Sequence, residues 1–365
     1  MRPLILLNPG PVNVSPGVRA ALQAGDACHR EPEFAAVIAS IRRRLASCFG
    51  GPAFAAVALT GSGTAAVEAM VSSGIGEGRL LVINNGVYGQ RIIDMATTYR
   101  IPVVEVRSSW TEPLALSPVE AALRAHSDVE AIAVVHHETT AGLLNPVAAL
   151  GALARRHGKR LLVDSVSGLA GDDIDLERDG VDLCAGTANK CIQGVAGISF
   201  VMLRRALLPT LSAYRPRSLY LHLPAHFAAQ ENGTLLFTMA VQTAYACDQA
   251  LAELEDETVA GRITRYRGAA QFLRAGFAVL GLEFVVPAGS RSNSLTALRL
   301  PPGVDYAALH RGLKERGFVI YAGQGALQSA TFRVANMGHL TTADFAAFLE
   351  ALGDIMRHTT DAGQP

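Results

Sequence analysis

Lys190 is the only charged residue in an apolar stretch of the sequence that runs from Gly186 to Leu203. A lysine in such surroundings either extends its ammonium group to solvent from a loop or keeps a neutral amine, because desolvation disfavours the charged form. A neutral amine can attack a carbonyl group and form an imine. Lys190 is therefore a candidate catalytic residue, and a surface lysine remains the alternative for this residue taken alone.

A carboxylate stands upstream of this lysine, where Asp164 ends the apolar run RLLVD. If that run is a strand of a parallel sheet, its carboxyl end faces the crevice in which such sheets bind ligands. An aspartate at the end of a strand can also cap the turn that follows. Asp164 is thus either a site residue or a capping residue.

A glycine-rich turn, residues 61–64 with the sequence GSGT, joins the apolar run AAVALT to the helical stretch AAVEAMV. Glycine lets the backbone turn sharply, and the free N–H groups at a helix N-terminus favour a phosphate. Ser62 and Thr64 add hydroxyl donors. An ordinary tight turn with a helix cap is the alternative. A dinucleotide-binding motif is weaker, because the next apolar run ends in two asparagines where that motif has an acidic residue.

These three features together match the requirements of pyridoxal phosphate. This cofactor takes a lysine for its aldehyde, a carboxylate beside its pyridine nitrogen and a helix N-terminus for its phosphate. Tyr88, in the segment NNGVYGQR, is an aromatic residue that can stack on the ring, and core packing explains it equally well. The sequence therefore predicts a pyridoxal phosphate site with Lys190 and Asp164 as its catalytic residues.

The elements that position these groups follow from the hydrophobic pattern. Over the first two thirds of the chain, short apolar runs alternate with amphipathic helical stretches, which predicts βαβ units and a mostly parallel sheet. The order then changes to a long helix, the strand-like runs FVVPAG, SLTALRLP and GFVIYAG, and a closing helix capped by Thr341 or Thr342.

This change of pattern predicts an α/β protein of two domains. We expect a large cofactor-binding domain over residues 1–254 and a smaller α+β domain over residues 255–365. Residues 1–15 are expected at the interface between the domains or between subunits.

Composition excludes several classes of protein. Lysine plus arginine equals aspartate plus glutamate at 32 each, so nothing points to nucleic acid or an anionic membrane as a partner. No apolar run approaches the roughly 18 residues needed to span a bilayer. The apolar N-terminus is interrupted at once by NPGP, which favours a cytoplasmic protein over an exported one. The five cysteines form no CxxC pair, so neither a disulfide framework nor a metal site is expected.

Several segments resemble the class V aminotransferases, which are pyridoxal phosphate enzymes of fold type I. The resemblance covers nearly the whole chain and rests on the segments LLNPGPV, LTGSGTAAVEA, NNGVYGQR, HHETTAGLLNP, LLVDSVSG, TANKCIQGVAGISFV, RPRSLYL, GFVIYAG and FRVANMG. It implies a large domain with a mostly parallel seven-stranded sheet, a smaller C-terminal domain and a homodimer with shared active sites. The segments ANKCIQGV, ETTAGLLNP and GFVIYAG are closest to the branch that transfers the amino group of 2-aminoethylphosphonate to pyruvate.

The resemblance also assigns cofactor-binding roles to particular residues. Lys190 would bind the cofactor's aldehyde and move the substrate proton, and Asp164 would pair with the pyridine nitrogen. The other implied cofactor contacts are Ser62, Gly63 and Thr64 at the phosphate, Tyr88 on the ring, Thr140 near the phenolic oxygen and Thr238 at the phosphate of a neighbouring subunit.

Two arginines are implied at the substrate. Arg333, in FRVANMG, would hold the acidic group, for which a planar guanidinium is suited. Arg30 would be an additional anion contact, and a salt bridge with Glu31 or Glu33 is the alternative for it.

The chain departs from the phosphonate branch near the expected substrate entrance. His29 and Arg30 stand where a tryptophan-containing acidic stretch is expected, Ala196 stands in place of a proline, and Gln324 in place of a lysine. These departures concern the substrate more than the reaction. An alanine– or serine–glyoxylate aminotransferase is therefore the nearest alternative.

Two other functional classes are less well supported. A pyridoxal phosphate lyase or cysteine desulfurase would need a nucleophilic cysteine, for which Cys191 is the candidate beside Lys190. A ligand-sensing regulator would need a DNA-binding module and a basic patch, and the sequence indicates neither.

Overall fold

The structure is a computed structural model that describes residues 4–361, with side chains described as far as residue 357. The strands, in chain order, are β1 (Ile5–Leu6), β2 (Phe54–Gly61), β3 (Arg79–Asn84), β4 (Val103–Arg107), β5 (Val129–Val135), β6 (His137–Glu138), β7 (Leu143–Leu144), β8 (Arg160–Asp164), β9 (Leu183–Thr187), β10 (Gly197–Arg204), β11 (Leu295–Arg299), β12 (Phe318–Val319), β13 (Tyr321–Ala322) and β14 (Thr331–Ala335). The α-helices are α1 (Pro16–Ala21), α2 (Pro32–Phe49), α3 (Gly63–Gly74), α4 (Val87–Thr98), α5 (Leu116–Ala125), α6 (Val147–Arg156), α7 (Leu208–Ala213), α8 (Leu223–Glu231), α9 (Val241–Glu257), α10 (Val259–Val279), α11 (Tyr306–Glu315) and α12 (Thr342–Asp361).

The large sheet has seven strands in the order β2-β10-β9-β8-β5-β3-β4. All neighbours pair in parallel except β10, which is antiparallel to both β2 and β9. The predicted mostly parallel seven-stranded sheet is therefore confirmed. Because parallel strands share one direction, the loops after β2, β5, β8 and β9 collect along the same edge, which is where ligands bind in such folds.

The core lies on both faces of this sheet. Alternate residues of β3 show the arrangement, since Leu81 and Ile83 belong to one hydrophobic cluster and Leu80 and Val82 to another. Helices cover both clusters, so the strands are buried on two sides and their sequences are continuously apolar. This explains why the strands were recognisable as short apolar runs.

The C-terminal part forms a second sheet, in which β11, β14 and β13 pair antiparallel. Helices α10 and α12 pack on it through a third cluster that includes Phe277, Phe332 and Phe348. The predicted cap of the closing helix is confirmed, because the Thr341 hydroxyl accepts a hydrogen bond of 3.3 Å from the Asp344 N–H.

Two predicted elements differ from the structure. The long helix starts at residue 259, because Thr258 separates it from α9 with a φ of 66°. The run FVVPAG forms only an isolated bridge at Phe284 and then a short 3₁₀ turn, since Pro287 cannot donate to a strand ladder. The domain boundary at residue 254 remains a prediction.

The N-terminal segment joins the C-terminal part of the chain. Strand β1 pairs in parallel with β12. Leu7 lies in the third hydrophobic cluster and accepts a hydrogen bond of 2.8 Å from the Ala335 N–H. The chain then crosses to the edge of the large sheet. Across residues 4–361, the structure contains no helix that is both long enough and apolar enough to traverse a bilayer.

Candidate active site

Lys190 lies in the turn after β9, partly buried beneath the N-terminal segment. Its ammonium group donates a hydrogen bond to the Pro9 carbonyl oxygen. The segment passes so closely that a Cβ atom at Gly10, whose φ is +103°, would lie 2.7 Å from the Lys190 Nζ. Burial lowers the pKa of Lys190 to about 8. The neutral amine is therefore well populated in mildly alkaline solution, as chemistry at a carbonyl group requires.

Asp164 is buried at the carboxyl end of β8. One carboxylate oxygen accepts a hydrogen bond of 3.0 Å from the Val166 N–H, so the residue does cap the turn that follows. Burial raises the pKa of Asp164 to about 6, and the charges of Arg91 and Lys190 oppose that rise. The carboxyl group is still ionised at pH 7 and can face a cation in the site.

The GSGT turn lies at the N-terminus of α3, with Ser62 as the N-cap. The Ser62 side chain makes no capping hydrogen bond, so its hydroxyl group remains available to a ligand. The helix N-terminus and two hydroxyl groups form a donor set that suits a phosphate.

These groups meet around a small cavity of about 30 Å³, which is lined by Gly63, Thr64, Val67, Tyr88, Arg91, Met95, Asp164 and Val166. Lys190 does not line this cavity, but it is near enough to Asp164 for each charge to shift the pKa of the other. The structure thus brings together the phosphate loop, the aromatic residue and the carboxylate that the sequence indicated.

Arg91 is a cation in this cavity that the sequence analysis did not single out. It lies one turn beyond Tyr88 on α4, and its guanidinium carbon is 4.7 Å from the centre of the Tyr88 ring. Its Nη1 atom donates a hydrogen bond of 3.3 Å to the Thr64 hydroxyl group. Its position follows from the i, i+3 spacing on one face of a helix.

Glu138 is a second residue that the sequence analysis missed. Its side chain is 0% exposed and accepts hydrogen bonds from the Thr140 hydroxyl at 2.6 Å and from the N–H groups of Tyr88 and Gly89 at 3.2 Å. Burial raises its pKa. Glu138 therefore holds Thr140 and the first turn of α4 in one arrangement. An acidic residue within the otherwise uncharged segment HHETT was the available signal.

Arg333 lies on β14 and is only 5% exposed. Its guanidinium donates hydrogen bonds to the carbonyl oxygens of Ala322 at 2.9 Å and Thr139 at 3.0 Å, and to the Gln324 side chain at 3.1 Å. Among the described residues it has no carboxylate partner within ion-pair distance, and burial lowers its pKa. Arg333 thus reaches from the C-terminal sheet to the residue next to Thr140.

Comparison with known proteins decides the family. The model of the class V aminotransferase family matches residues 20–347. The chain belongs to the class V aminotransferases. This family uses pyridoxal phosphate, so the cofactor predicted from the sequence is confirmed.

Similar members of the family span almost the whole chain. The 2-aminoethylphosphonate–pyruvate transaminase of Aeromonas hydrophila subsp. hydrophila is 38% identical, over 98% of this chain and 96% of its own length. The transaminase of the same name from Bacillus cytotoxicus is 37% identical, over 96% of this chain and 97% of its own.

A solved aminotransferase structure has the same fold. The alanine–glyoxylate aminotransferase of Nostoc sp. superimposes with a TM-score of 0.92 at 28% identity, over 98% of this chain and 96% of its own.

The residues of this class V enzyme fit the cofactor. A buried carboxylate with one oxygen engaged by a backbone N–H, an uncapped helix N-terminus with free hydroxyl groups, and an amine of lowered pKa provide one group for each part of pyridoxal phosphate. No group of three or more metal-ligating side chains occurs in the described part of the chain.

Two predicted residues are exposed and lie outside this cavity in the chain. Thr238 is exposed in the loop before α9, and Arg30 is exposed before α2. No ion pair joins Arg30 to Glu31 or Glu33 in the described residues. Both residues remain predictions, and the one for Thr238 depends on a second subunit.

Cys191 follows Lys190 but is unsuited to act as a nucleophile. Its side chain is fully buried, and burial raises its pKa to about 12, so the thiol stays protonated. The Sγ atom lies 3.6 Å from the Ser167 carbonyl oxygen. This packing disfavours the desulfurase alternative for this class V enzyme.

Proposed function

We propose that this class V aminotransferase transfers the amino group of 2-aminoethylphosphonate to pyruvate, forming phosphonoacetaldehyde and L-alanine, in a reversible reaction. Two relatives of this name align over almost the full chain at 37–38% identity. The single structural observation that carries the proposal is Arg333, a buried guanidinium without a carboxylate partner in the described residues. Such a group favours a substrate that brings its own anion.

The cofactor would be held by residues from three parts of the sheet edge. Ser62, Gly63 and Thr64 would bind its phosphate, Tyr88 would contact its ring, and Asp164 would lie beside the pyridine nitrogen. When bound, pyridoxal phosphate withdraws electrons from the substrate carbon and makes its proton removable.

Lys190 performs the proton transfer in this proposal. Its neutral Nζ takes the proton from the substrate carbon that bears the amino group, and it returns a proton to the corresponding carbon when the acceptor is aminated. The Asp164 carboxylate maintains a negative charge beside the pyridine nitrogen, because its pKa of about 6 keeps it ionised at pH 7. Thr140, held by Glu138, would lie near the phenolic oxygen.

Arg333 orients the substrate by its acidic group. Its Nε and Nη1 atoms are engaged by the chain, which fixes the plane of the guanidinium. Its Nη2 atom, for which the described residues provide no acceptor, can donate to an oxygen of a phosphonate or a carboxylate. The same site would therefore accept the donor and the 2-oxo acid in turn.

A second candidate is an alanine– or serine–glyoxylate aminotransferase. The structural similarity to the alanine–glyoxylate aminotransferase of Nostoc sp. favours this alternative, and Arg333 is equally able to bind a carboxylate.

The test is the first half-reaction of the cofactor-loaded enzyme. The enzyme is mixed separately with 2-aminoethylphosphonate, alanine and serine, and the visible absorbance of the bound cofactor is followed. We expect rapid loss of this absorbance with 2-aminoethylphosphonate, together with phosphonoacetaldehyde. Loss with alanine or serine alone would overturn the phosphonate proposal and support the second candidate.

We further propose a homodimer in which Thr238 contacts the cofactor phosphate of the partner. Thr238 is exposed in its own chain and lines a pocket with Leu236, 38% exposed, and Tyr220, whose neighbour in the chain, Leu219, is 85% exposed. Burial of such side chains against a second copy is favourable. Sedimentation at micromolar concentration tests this, and a monomer with full activity would contradict it. A cytoplasmic location also remains a prediction.

A further inference from the structure

Arg91 is a positive charge in the cofactor cavity with no ion pair. Among the described residues, no carboxylate lies within ion-pair distance of its guanidinium, although arginines elsewhere on this sheet, such as Arg79 and Arg107, have such partners. In the part of the chain that the structure describes, its only hydrogen bond to another side chain is the one of 3.3 Å to Thr64, which is a weak contact at that distance. Most of the N–H donors of this half-buried guanidinium are therefore available to a ligand.

The phosphate loop next to Arg91 provides only uncharged donors. Residues 62–64 offer backbone N–H groups, two hydroxyl groups and the partial charge of a helix N-terminus. The cofactor's phosphate carries a charge between one and two units at neutral pH, so a full positive charge nearby is favourable. Arg91 is the residue whose guanidinium contacts this loop, through Thr64.

We propose that Arg91 binds the phosphate group of pyridoxal phosphate and supplies the charge that the loop lacks. The proposal rests on the proposed placement of the phosphate at residues 62–64. The guanidinium is positioned from two sides, by the Tyr88 ring at 4.7 Å and by the Thr64 hydroxyl. Replacement of the weak contact to Thr64 by charge-assisted bonds to phosphate needs only a rotation of the side chain.

The substrate's acidic group is the competing ligand for Arg91. Arg91 also lines a larger neighbouring cavity together with Arg107 and Trp110. The contact with Thr64 favours the phosphate, whereas Arg333 is already placed for the substrate on the opposite wall. The two ligands are distinguished by whether a variant loses affinity for the cofactor or for the substrate.

The experiment compares two ligands of the cofactor-free enzyme, pyridoxal 5′-phosphate and pyridoxal, which lacks the phosphate. We expect Arg91→Gln to weaken the affinity for pyridoxal 5′-phosphate by about 10- to 100-fold, the range of a charge-assisted hydrogen bond. The affinity for pyridoxal should change by less than about 3-fold. Arg91→Lys keeps the charge and should fall between Arg91→Gln and the unchanged protein.

Arg107→Gln is the matched control, because Arg107 is exposed, pairs with Glu105 and lies only in the neighbouring cavity. It should leave both affinities unchanged. As a second readout, inorganic phosphate should raise the thermal unfolding temperature of the cofactor-free enzyme, and Arg91→Gln should reduce that rise.

Three outcomes would overturn the role of Arg91. These are equal losses for both ligands, no loss for either, or a higher KM for 2-aminoethylphosphonate with unchanged cofactor affinity. If instead the unchanged protein binds pyridoxal 5′-phosphate no better than pyridoxal, the placement of the phosphate at residues 62–64 fails as well.

Discussion

The two walls of the candidate site come from different parts of the chain. The cofactor wall is built at one edge of the large sheet, where Thr64, Asp164 and Lys190 lie at or just after the carboxyl ends of β2, β8 and β9. The opposite wall is assembled from Arg333 on the C-terminal sheet and from Pro9 in the N-terminal segment. In the proposed function, the first wall would transfer the proton, and Arg333 on the second wall would bind the substrate's anion.

In the proposed function, the cofactor wall therefore determines the reaction, and the opposite wall determines which substrate is bound. The edge of a parallel sheet holds its residues by backbone hydrogen bonds on both sides, which gives a rigid frame for proton transfer. The second wall depends on contacts between distant segments of the chain. Gln324, which departs from the phosphonate branch, lies on this second wall in contact with Arg333.

The largest effect is expected on the cofactor wall. Lys190→Ala should abolish turnover, by about 10⁴-fold or more, because the variant loses the base that moves the proton. The chain has only three lysines, so Lys159→Ala is a matched control at an exposed site. Turnover and visible absorbance of the bound cofactor are the measurements. An active Lys190→Ala enzyme would contradict the assignment of this wall.

A smaller and different effect is expected on the opposite wall. Arg333→Ala should raise the KM of the acidic substrate by about 10- to 100-fold, because an ionic hydrogen-bonded contact is lost. The absorbance of the bound cofactor should not change. Arg299→Ala is the control, since Arg299 lies on the neighbouring strand and pairs with Glu283 at the surface. A change in kcat with constant KM would show that the two walls are not separable.

The smallest effect concerns the charges within the cofactor wall. The Lys190 amine is protonated below its pKa of about 8 and neutral above it. The rate at which the cofactor-free enzyme takes up pyridoxal 5′-phosphate should therefore rise with pH and level off above about pH 8. Because the Asp164 carboxylate raises the pKa of Lys190, Asp164→Asn should move the midpoint to lower pH.

Stopped-flow absorbance measures this profile, and the Lys190→Ala variant corrects for reaction at the other two lysines. A midpoint near 10.5, the ordinary value, would mean that Lys190 is fully solvated.

The residues of the cofactor wall could be predicted from the sequence because each lies in a short segment with a recognisable pattern. Asp164 ends an apolar run, and the GSGT turn lies between a strand and a helix, so each has a signal within ten residues. Glu138 was harder to predict from the sequence, because its role depends on hydrogen bonds that it accepts from N–H groups of α4, some 50 positions away in the chain. Arg91 resembled any polar residue on the exposed side of a helix.

By itself, the sequence determined the parallel sheet, the strand ends that carry Asp164 and Lys190, and the helix that begins after Ser62. These features depend on hydrophobic periodicity and on turn residues, which act over short distances along the chain. Only the tertiary structure decided that Pro9 contacts Lys190, 181 positions later, and that Arg333 meets Thr139, 194 positions earlier. Such contacts depend on how the sheets pack together, and the pattern of a short segment of sequence does not specify that packing.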